Sequence, residues 1–261
     1  MRDLLFRGIL TVDKPEMEAD RMTEIETLQK WLSESSRAVF FGGAGVSTES
    51  EIPDFRSVDG LYNQSYDEPP ETIISHSYFE AKPFEFYHFY KEKMLYLDAN
   101  PNAAHRKLAQ WEAQGHLCAV VTQNIDGLHQ AAGSKTVYEL HGSVHRNYCM
   151  RCHKSFDAGY VKAAEGAPRC DQCGGLIKPD VVLYEEGLDS ETLRGAMTAI
   201  ARADLLIVGG TSLAVYPAAG LIHYYRGDRL VLVNKTPTPA DSLANLVIHG
   251  PIGEIFSQIE L

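Results

Sequence analysis

Four of the five cysteines fall into two pairs, Cys149-x-x-Cys152 and, seventeen residues further on, Cys170-x-x-Cys173. Two such pairs on separate turns can bring four thiolates around one Zn²⁺ in a tetrahedron. Four thiolate ligands leave no open coordination position, so the zinc predicted here is structural and takes no part in chemistry. Neither pair opens a helix of a βαβ unit, where a redox dithiol would sit. The fifth, Cys118, lies in an apolar run and reads as a buried small hydrophobe.

A second group of residues suits a phosphate and a sugar. Gly43-Ala44-Gly45-Val46-Ser47-Thr48 follows the apolar run 38–41. Its small residues let backbone N–H groups approach a pyrophosphate, and a helix is expected to start there. Thr48 stands in place of the third glycine of the dehydrogenase fingerprint, and no acidic residue ends a second strand about twenty residues on. A hydride-transfer reading is therefore poor. Further polar groups gather in Ile52-Pro53-Asp54-Phe55-Arg56, in 122–129, at His141-Gly142, in 209–213 and at Asn234-Lys235. Singly, each is an ordinary loop residue. Together, Asn124, Asp126 and His141 are candidates for polar work on a sugar or a base. Of the ten histidines, only His141 sits where a role is called for.

These residues need elements to hold them. Short apolar runs at 38–41, 118–121, 205–208, 230–233 and 246–248 suit strands buried on both faces of a parallel sheet. Helical patterns alternate with them. Thr23 and Glu26 form a capping box before Ile25, Leu28, Trp31 and Leu32; a second helix runs over 101–114, and a third over 191–202 after a Ser190 cap. The fold expected is α/β, a Rossmann-like doubly wound parallel sheet, with ligands outside the carboxyl ends of its strands. Two stretches interrupt it. Residues 58–100 are rich in aromatics and read as a helical layer with an entry loop. Residues 146–182 hold the paired cysteines, with six Lys or Arg against four Asp or Glu. The first 20 residues read as a loosely attached extension.

With 44% apolar and 23% charged residues among 261, the composition is that of a globular protein, and a net charge of -11 argues against nucleic acid as the main partner. The chain is too long to need a disulfide scaffold, and it has no apolar run of the roughly 18–20 residues that span a bilayer. The N-terminus makes no convincing signal peptide. A cytoplasmic protein is expected, with no membrane partner.

The blocks G-A-G-V-S, I-P-D-F-R, T-Q-N-I-D-G-L-H, H-G, the paired C-x-x-C, K-P-D-V-V and G-T-S-L-x-V occur in this order between about residues 38 and 252. In that order and combination they resemble the Sir2 (sirtuin) family of NAD-dependent protein deacylases. The resemblance implies that Ala44 and Thr48 meet the NAD diphosphate, and that Phe55 and Arg56 belong to a flexible cofactor loop. Gln123, Asn124, Ile125 and Asp126 would line the ribose and nicotinamide pocket. Thr211, Ser212 and Asn234 would hold the adenosine half, with backbone groups at Lys235 and Ile252. His141 and Asn124 would be the catalytic residues, His141 as the general base on the ribose hydroxyls. An imidazole with an ordinary pKa near 6.5 suits that task around neutral pH. Val182 would flank the acyl-lysine. The substrate backbone would pair as a strand between 183–186, which holds Tyr184, and 213–216, which holds Val215.

The implied reaction removes acetyl from lysine in acetylated proteins or peptides, yielding nicotinamide and O-acetyl-ADP-ribose. Two alternatives stay open: mono-ADP-ribosyl transfer from NAD, and a non-catalytic module that senses NAD or ADP-ribose. The domain bounds that follow are an extension at 1–20 and a discontinuous NAD-binding domain at 21–57, 107–145 and 183–261. A helical insertion with the cofactor loop takes 58–106, and the zinc module takes 146–182. Three departures from the family pattern stand out. Glu51 replaces a glycine before I-P-D-F-R, and Tyr184-Glu185-Glu186 replaces F-G-E. Tyr87-His88-Phe89-Tyr90 lacks the Arg with which some members pair an acidic acyl group, so neutral acyl groups are expected, acetyl first.

Overall fold

The structure, a computed structural model, describes residues 14–54, 60 and 68–261. Its centre is a six-stranded parallel sheet in the order β3-β2-β1-β7-β8-β9. These strands are β1 (Ala38–Gly42), β2 (Leu117–Thr122), β3 (Val137–Glu139), β7 (Leu205–Gly209), β8 (Leu230–Asn234) and β9 (Leu246–His249). β1, β7 and β8 are buried at every residue, as expected for strands covered on both faces. Phe40 and Phe41 point to opposite sides. Phe40 packs with Leu28, Leu32, Trp111 and Phe256, whereas Phe41 packs with Leu140, Ile200 and Leu221. The strand order reverses between β1 and β7, which is where a doubly wound sheet opens a crevice at its carboxyl edge.

The helices that cover this sheet are α1 (Lys14–Glu34), α5 (Ala103–Ala113), α6 (Leu128–Ala132), α8 (Ser190–Ala201) and α9 (Ile252–Ser257). Three local expectations are corrected. Thr23 does not cap α1, because the helix runs straight through it from Lys14 to Glu34. Part of the expected loose extension is thus helical. α8 is capped by Asp189 rather than Ser190: Asp189 is extended and its carboxylate accepts from the Thr192 N–H at 2.8 Å. The glycine block leads into two 3₁₀ turns, Ala44–Val46 and Thr48–Ser50, and not into an α-helix.

Cys118 is corrected as well. It is exposed, because the β1–β2 register shifts there: Ala38 faces Leu117 and Val39 faces Ala119, which leaves Cys118 as the extra residue of a bulge.

The two insertions share one core. The aromatic stretch forms α2 (Pro70–Ile73), α3 (His76–Ala81) and α4 (Pro83–Lys93). The cysteine stretch forms a three-stranded antiparallel sheet of β4 (Gly142–Cys149), β5 (Ser155–Phe156) and β6 (Ile177–Val181), with α7 (Ala158–Ala163) beside it. Phe79, Phe86, Tyr87 and Tyr90 of the layer pack in the same cluster as Val144, Cys149 and Ile177 of the module. Tyr87 Oη donates to the Ile177 carbonyl. Among the described residues no helix is long and apolar enough to cross a membrane.

Candidate active site at the carboxyl edge of the sheet

At the switch point the loops after β1 and β7 touch through bare backbone. Gly45 N–H donates to Gly210 O at 2.8 Å, and a Cβ on Gly45 would stand 2.9 Å from Gly210 Cα. Only glycines allow this approach. It brings the loop that carries Ala44 and Thr48 to the loop that carries Thr211 and Ser212, and Asn234, Lys235 and Ile252 lie at or just after the ends of β8 and β9.

Two hydrogen-bonded sets fix the polar groups. In the first, Ser47 Oγ donates to Asp126 Oδ2 at 2.7 Å and accepts from Asn124 Nδ2 at 2.9 Å. Asn124 N–H also donates to Thr122 Oγ1 at 3.0 Å, and Asp126 Oδ1 accepts from Leu128 N–H at 2.9 Å. In the second, Thr211 N–H donates to Asn234 Oδ1 at 3.0 Å, Gln123 Nε2 donates to Thr211 Oγ1 at 3.1 Å, and the Gln123 carbonyl meets His141 Nδ1 at 3.0 Å. A chain of contacts thus runs across the crevice from β8 to His141, two residues past the end of β3.

A carbonyl can only accept, so Nδ1 of a neutral His141 carries the proton and Nε2 is the basic nitrogen. Burial holds the His141 pKa below the ordinary imidazole value, against the upward pull of the Gln123 carbonyl. The ring is therefore neutral at pH 7, the form a general base needs. Val182 N–H donates to the His141 carbonyl at 3.0 Å, so the residue expected beside an acyl-lysine is tied to the candidate base. Tyr184 forms a parallel bridge with Ser75, donating to Ile74 O at 3.1 Å and accepting from His76 N–H at 3.0 Å. Val215 is half-buried on the loop beyond Ser212, and Ile125 is half-buried beside Asn124. Phe55 and Arg56 lie outside the described residues.

Sequence reasoning missed several residues. Ser47 was in view but had no role, because its partners Asn124 and Asp126 lie far along the chain. Asn102 caps α5 and donates from Nδ2 to Val46 O at 2.7 Å, joining that helix to the glycine block; Asn before a helical pattern was the available signal. His105 and His129 are buried with ring centroids 4.7 Å apart. Burial takes His105 down to about 4 and His129 well below its ordinary value, so both are neutral.

Away from the crevice, one sulfur from each of Cys149, Cys152, Cys170 and Cys173 lies within 4.8 Å of the other three. Tetrahedral zinc with Zn–S bonds of about 2.3 Å requires S···S separations of about 3.8 Å. The pairs Cys149–Cys173 and Cys152–Cys170 stand at 3.4 and 3.6 Å. The Arg151 and Cys152 N–H groups point at Cys149 Sγ, as suits a thiolate. The donor set fits one structural zinc ion.

The family model for the Sir2 family matches residues 43–217. The chain belongs to the Sir2 family. A Sir2-family relative from Clostridium acetobutylicum, an NAD-dependent protein deacetylase, is 58% identical over 241 residues, covering 91% of this chain and 98% of its own. A solved Sir2 complex with p53 peptide and NAD⁺ superposes with a TM-score of 0.80 at 41% identity, covering 90% of this chain and 96% of that one. Another Sir2 structure, with deacetylated p53 peptide and 3′-O-acetyl ADP ribose, gives a TM-score of 0.84 at 40% identity over the same shares. Two of this chain's departures from the Sir2 pattern prove alike in conformation. Glu51 has φ 64° and Glu185 has φ 76°, the left-handed region that the missing glycines would favour. Glu185 is held there by Ser77, whose N–H and Oγ both donate to its carboxylate at 2.9 Å.

Proposed function

We propose that this Sir2 protein is an NAD-dependent protein lysine deacetylase that releases free lysine, nicotinamide and O-acetyl-ADP-ribose. The observation that carries the reading is the orientation of His141: its Nδ1 is fixed on the Gln123 carbonyl and its basic Nε2 is left over, while the residue next to Gln123, Asn124, is locked by Ser47. NAD, when bound, supplies the ribose carbon that nicotinamide leaves. The protein's part is to hold an acyl carbonyl near that carbon and to take a proton from a ribose hydroxyl at His141 Nε2. Ala44, Thr48, Thr211, Ser212, Asn234, Lys235 and Ile252 surround the diphosphate and adenosine, and Gln123, Ile125 and Asp126 surround the ribose and nicotinamide. Phe55 and Arg56 complete the cofactor loop. Val182, Tyr184 and Val215 contact the acylated peptide. Neutral acyl groups are preferred, because Tyr90 puts an uncharged, buried ring where an acyl-pairing Arg would stand.

The domain division given above goes with this reading, and the location is the cytoplasm, whose reducing conditions keep four thiolates available to zinc. The deciding experiment is mass spectrometry of an acetyl-lysine peptide incubated with the protein, with and without NAD. NAD-dependent loss of acetyl with formation of O-acetyl-ADP-ribose supports the proposal. Addition of ADP-ribose to protein without deacetylation would instead assign mono-ADP-ribosyl transfer, and absence of both would leave a sensing module. Faster turnover of succinyl-lysine than acetyl-lysine peptide would overturn the acyl preference.

A further inference from the structure

We infer that the chain has a second binding site, for a small molecule bearing acidic groups, in a cavity on the opposite edge of the parallel sheet from His141. The cavity has a volume of about 470 Å³ and lies between the starts of β1, β2 and β3 and the face of α8, with Arg37, Cys118, Tyr138, Arg194, Gly195 and Arg202 in its lining. That volume is in the range of small-molecule sites, about 300–1,000 Å³. Arg37 precedes β1 and Cys118 is second in β2, whereas Asn124 and His141 follow the far ends of β2 and β3. At about 3.3 Å per residue, the length of β2 puts roughly 20 Å between the two edges.

Two local departures build this cavity. The bulge at Cys118 turns the thiol out of the sheet and exposes it. Gly195 sits inside α8, where glycine is disfavoured against alanine, and a Cβ there would stand 2.3 Å from Tyr138 Cε1. The bare helix backbone accommodates the Tyr138 ring. Bulges and broken local preferences concentrate at functional sites.

Charge sets the ligand class. Three guanidinium groups share the lining with one carboxylate, Glu191, which Arg194 approaches only at 4.0 Å with both side chains well exposed. Arg37 and Arg202 have no ion-pair partner among the described residues. In a chain of net charge -11, three arginines against one lining carboxylate are a local exception; the nearby Asp204 carboxylate accepts the Arg37 backbone N–H at 3.2 Å and is taken up by Ser35 and Ser36. Guanidinium groups recognise carboxylates and phosphates through paired N–H donors. The ligand is a compact molecule with two or more such groups.

Cys118 is the one cysteine outside the four-cysteine cluster, so it reports on the cavity. The experiment measures its alkylation by iodoacetamide, read by mass spectrometry, with citrate, inorganic pyrophosphate, or sodium chloride at matched ionic strength. Citrate or pyrophosphate should slow the reaction about tenfold once present at about ten times its dissociation constant. An Arg37→Gln/Arg202→Gln variant should lose that protection and keep its deacetylase turnover, because neither residue lies near the NAD crevice. Protection by citrate alone or by pyrophosphate alone supports the site and assigns the head group. No protection by either, equal protection in the variant, or the same slowing by sodium chloride overturns the proposal.

Discussion

His141 Nδ1 lies 3.0 Å from the carbonyl oxygen of Gln123, whose side-chain amide is itself bonded to Thr211 on the other half of the sheet. The candidate base is thus oriented by backbone and not by a carboxylate, so no partner anion raises its basicity.

The first prediction follows from that arrangement. The neutral imidazole is the working form, and burial lowers its pKa, so activity is lost as pH falls through a value below about 6.5. The acid limb of kcat/KM against pH should lie there; a limb above neutrality would contradict the assignment. His141→Ala should reduce kcat by about 10²- to 10⁴-fold, the usual worth of a positioned base.

Ser47→Ala removes the hydroxyl that joins Asn124 to Asp126 and leaves both partners short of a bond in a buried site. The cost should be about 1–3 kcal/mol. It should appear as lower kcat/KM for NAD with His141's pH limb unmoved, which steady-state kinetics at several pH values would show.

Glu51 is left-handed at φ 64° and exposed. Glu51→Gly should therefore relieve strain of about 1 kcal/mol and raise Tm by a few degrees in calorimetry. Glu185→Gly should not stabilise the protein in the same way, since it also gives up both Ser77 hydrogen bonds.

Removing zinc should stop catalysis without altering a residue of the NAD crevice. β4 runs from beside His141 to Cys149, and β6 ends beside Val182, so loss of the metal frays the strands that carry both. Treatment with a chelator should raise the number of reactive thiols from one, Cys118, to all five cysteines as activity falls.

Acid should destabilise the fold through His105 and His129. Both are neutral when folded and titrate near 6.5 when unfolded, so below about pH 6.5 the unfolded chain binds more protons and stability falls as pH falls. A His105 pKa of about 4 corresponds to roughly 3 kcal/mol lost between pH 6.5 and 4. Denaturant midpoints across that range would measure it, and His105→Gln should flatten the slope.

Much of this was legible in the chain itself. The sheet strands announce themselves because burial on both faces demands unbroken apolar runs such as Leu205–Val208, and the zinc ligands because thiolate spacing is chemistry on a short string. What escaped depends on partners distant in sequence. Ser47 meets Asp126 across 79 positions, and His105 meets His129 only once α5 and α6 pack. Local signals also misled: α1 runs straight through Thr23, and Asp189 caps α8 before Ser190 can. The Cys118 bulge leaves no mark in composition, since a shifted register keeps the same residues.

The core shared by the helical layer and the zinc module has a mechanical meaning. Phe86, Tyr87 and Tyr90 interlock with Cys149 and Ile177, and close-packed interiors transmit displacement instead of absorbing it. The cleft above the parallel sheet therefore has two jaws rather than three: whatever widens it to admit a peptide must swing layer and module together as one rigid body.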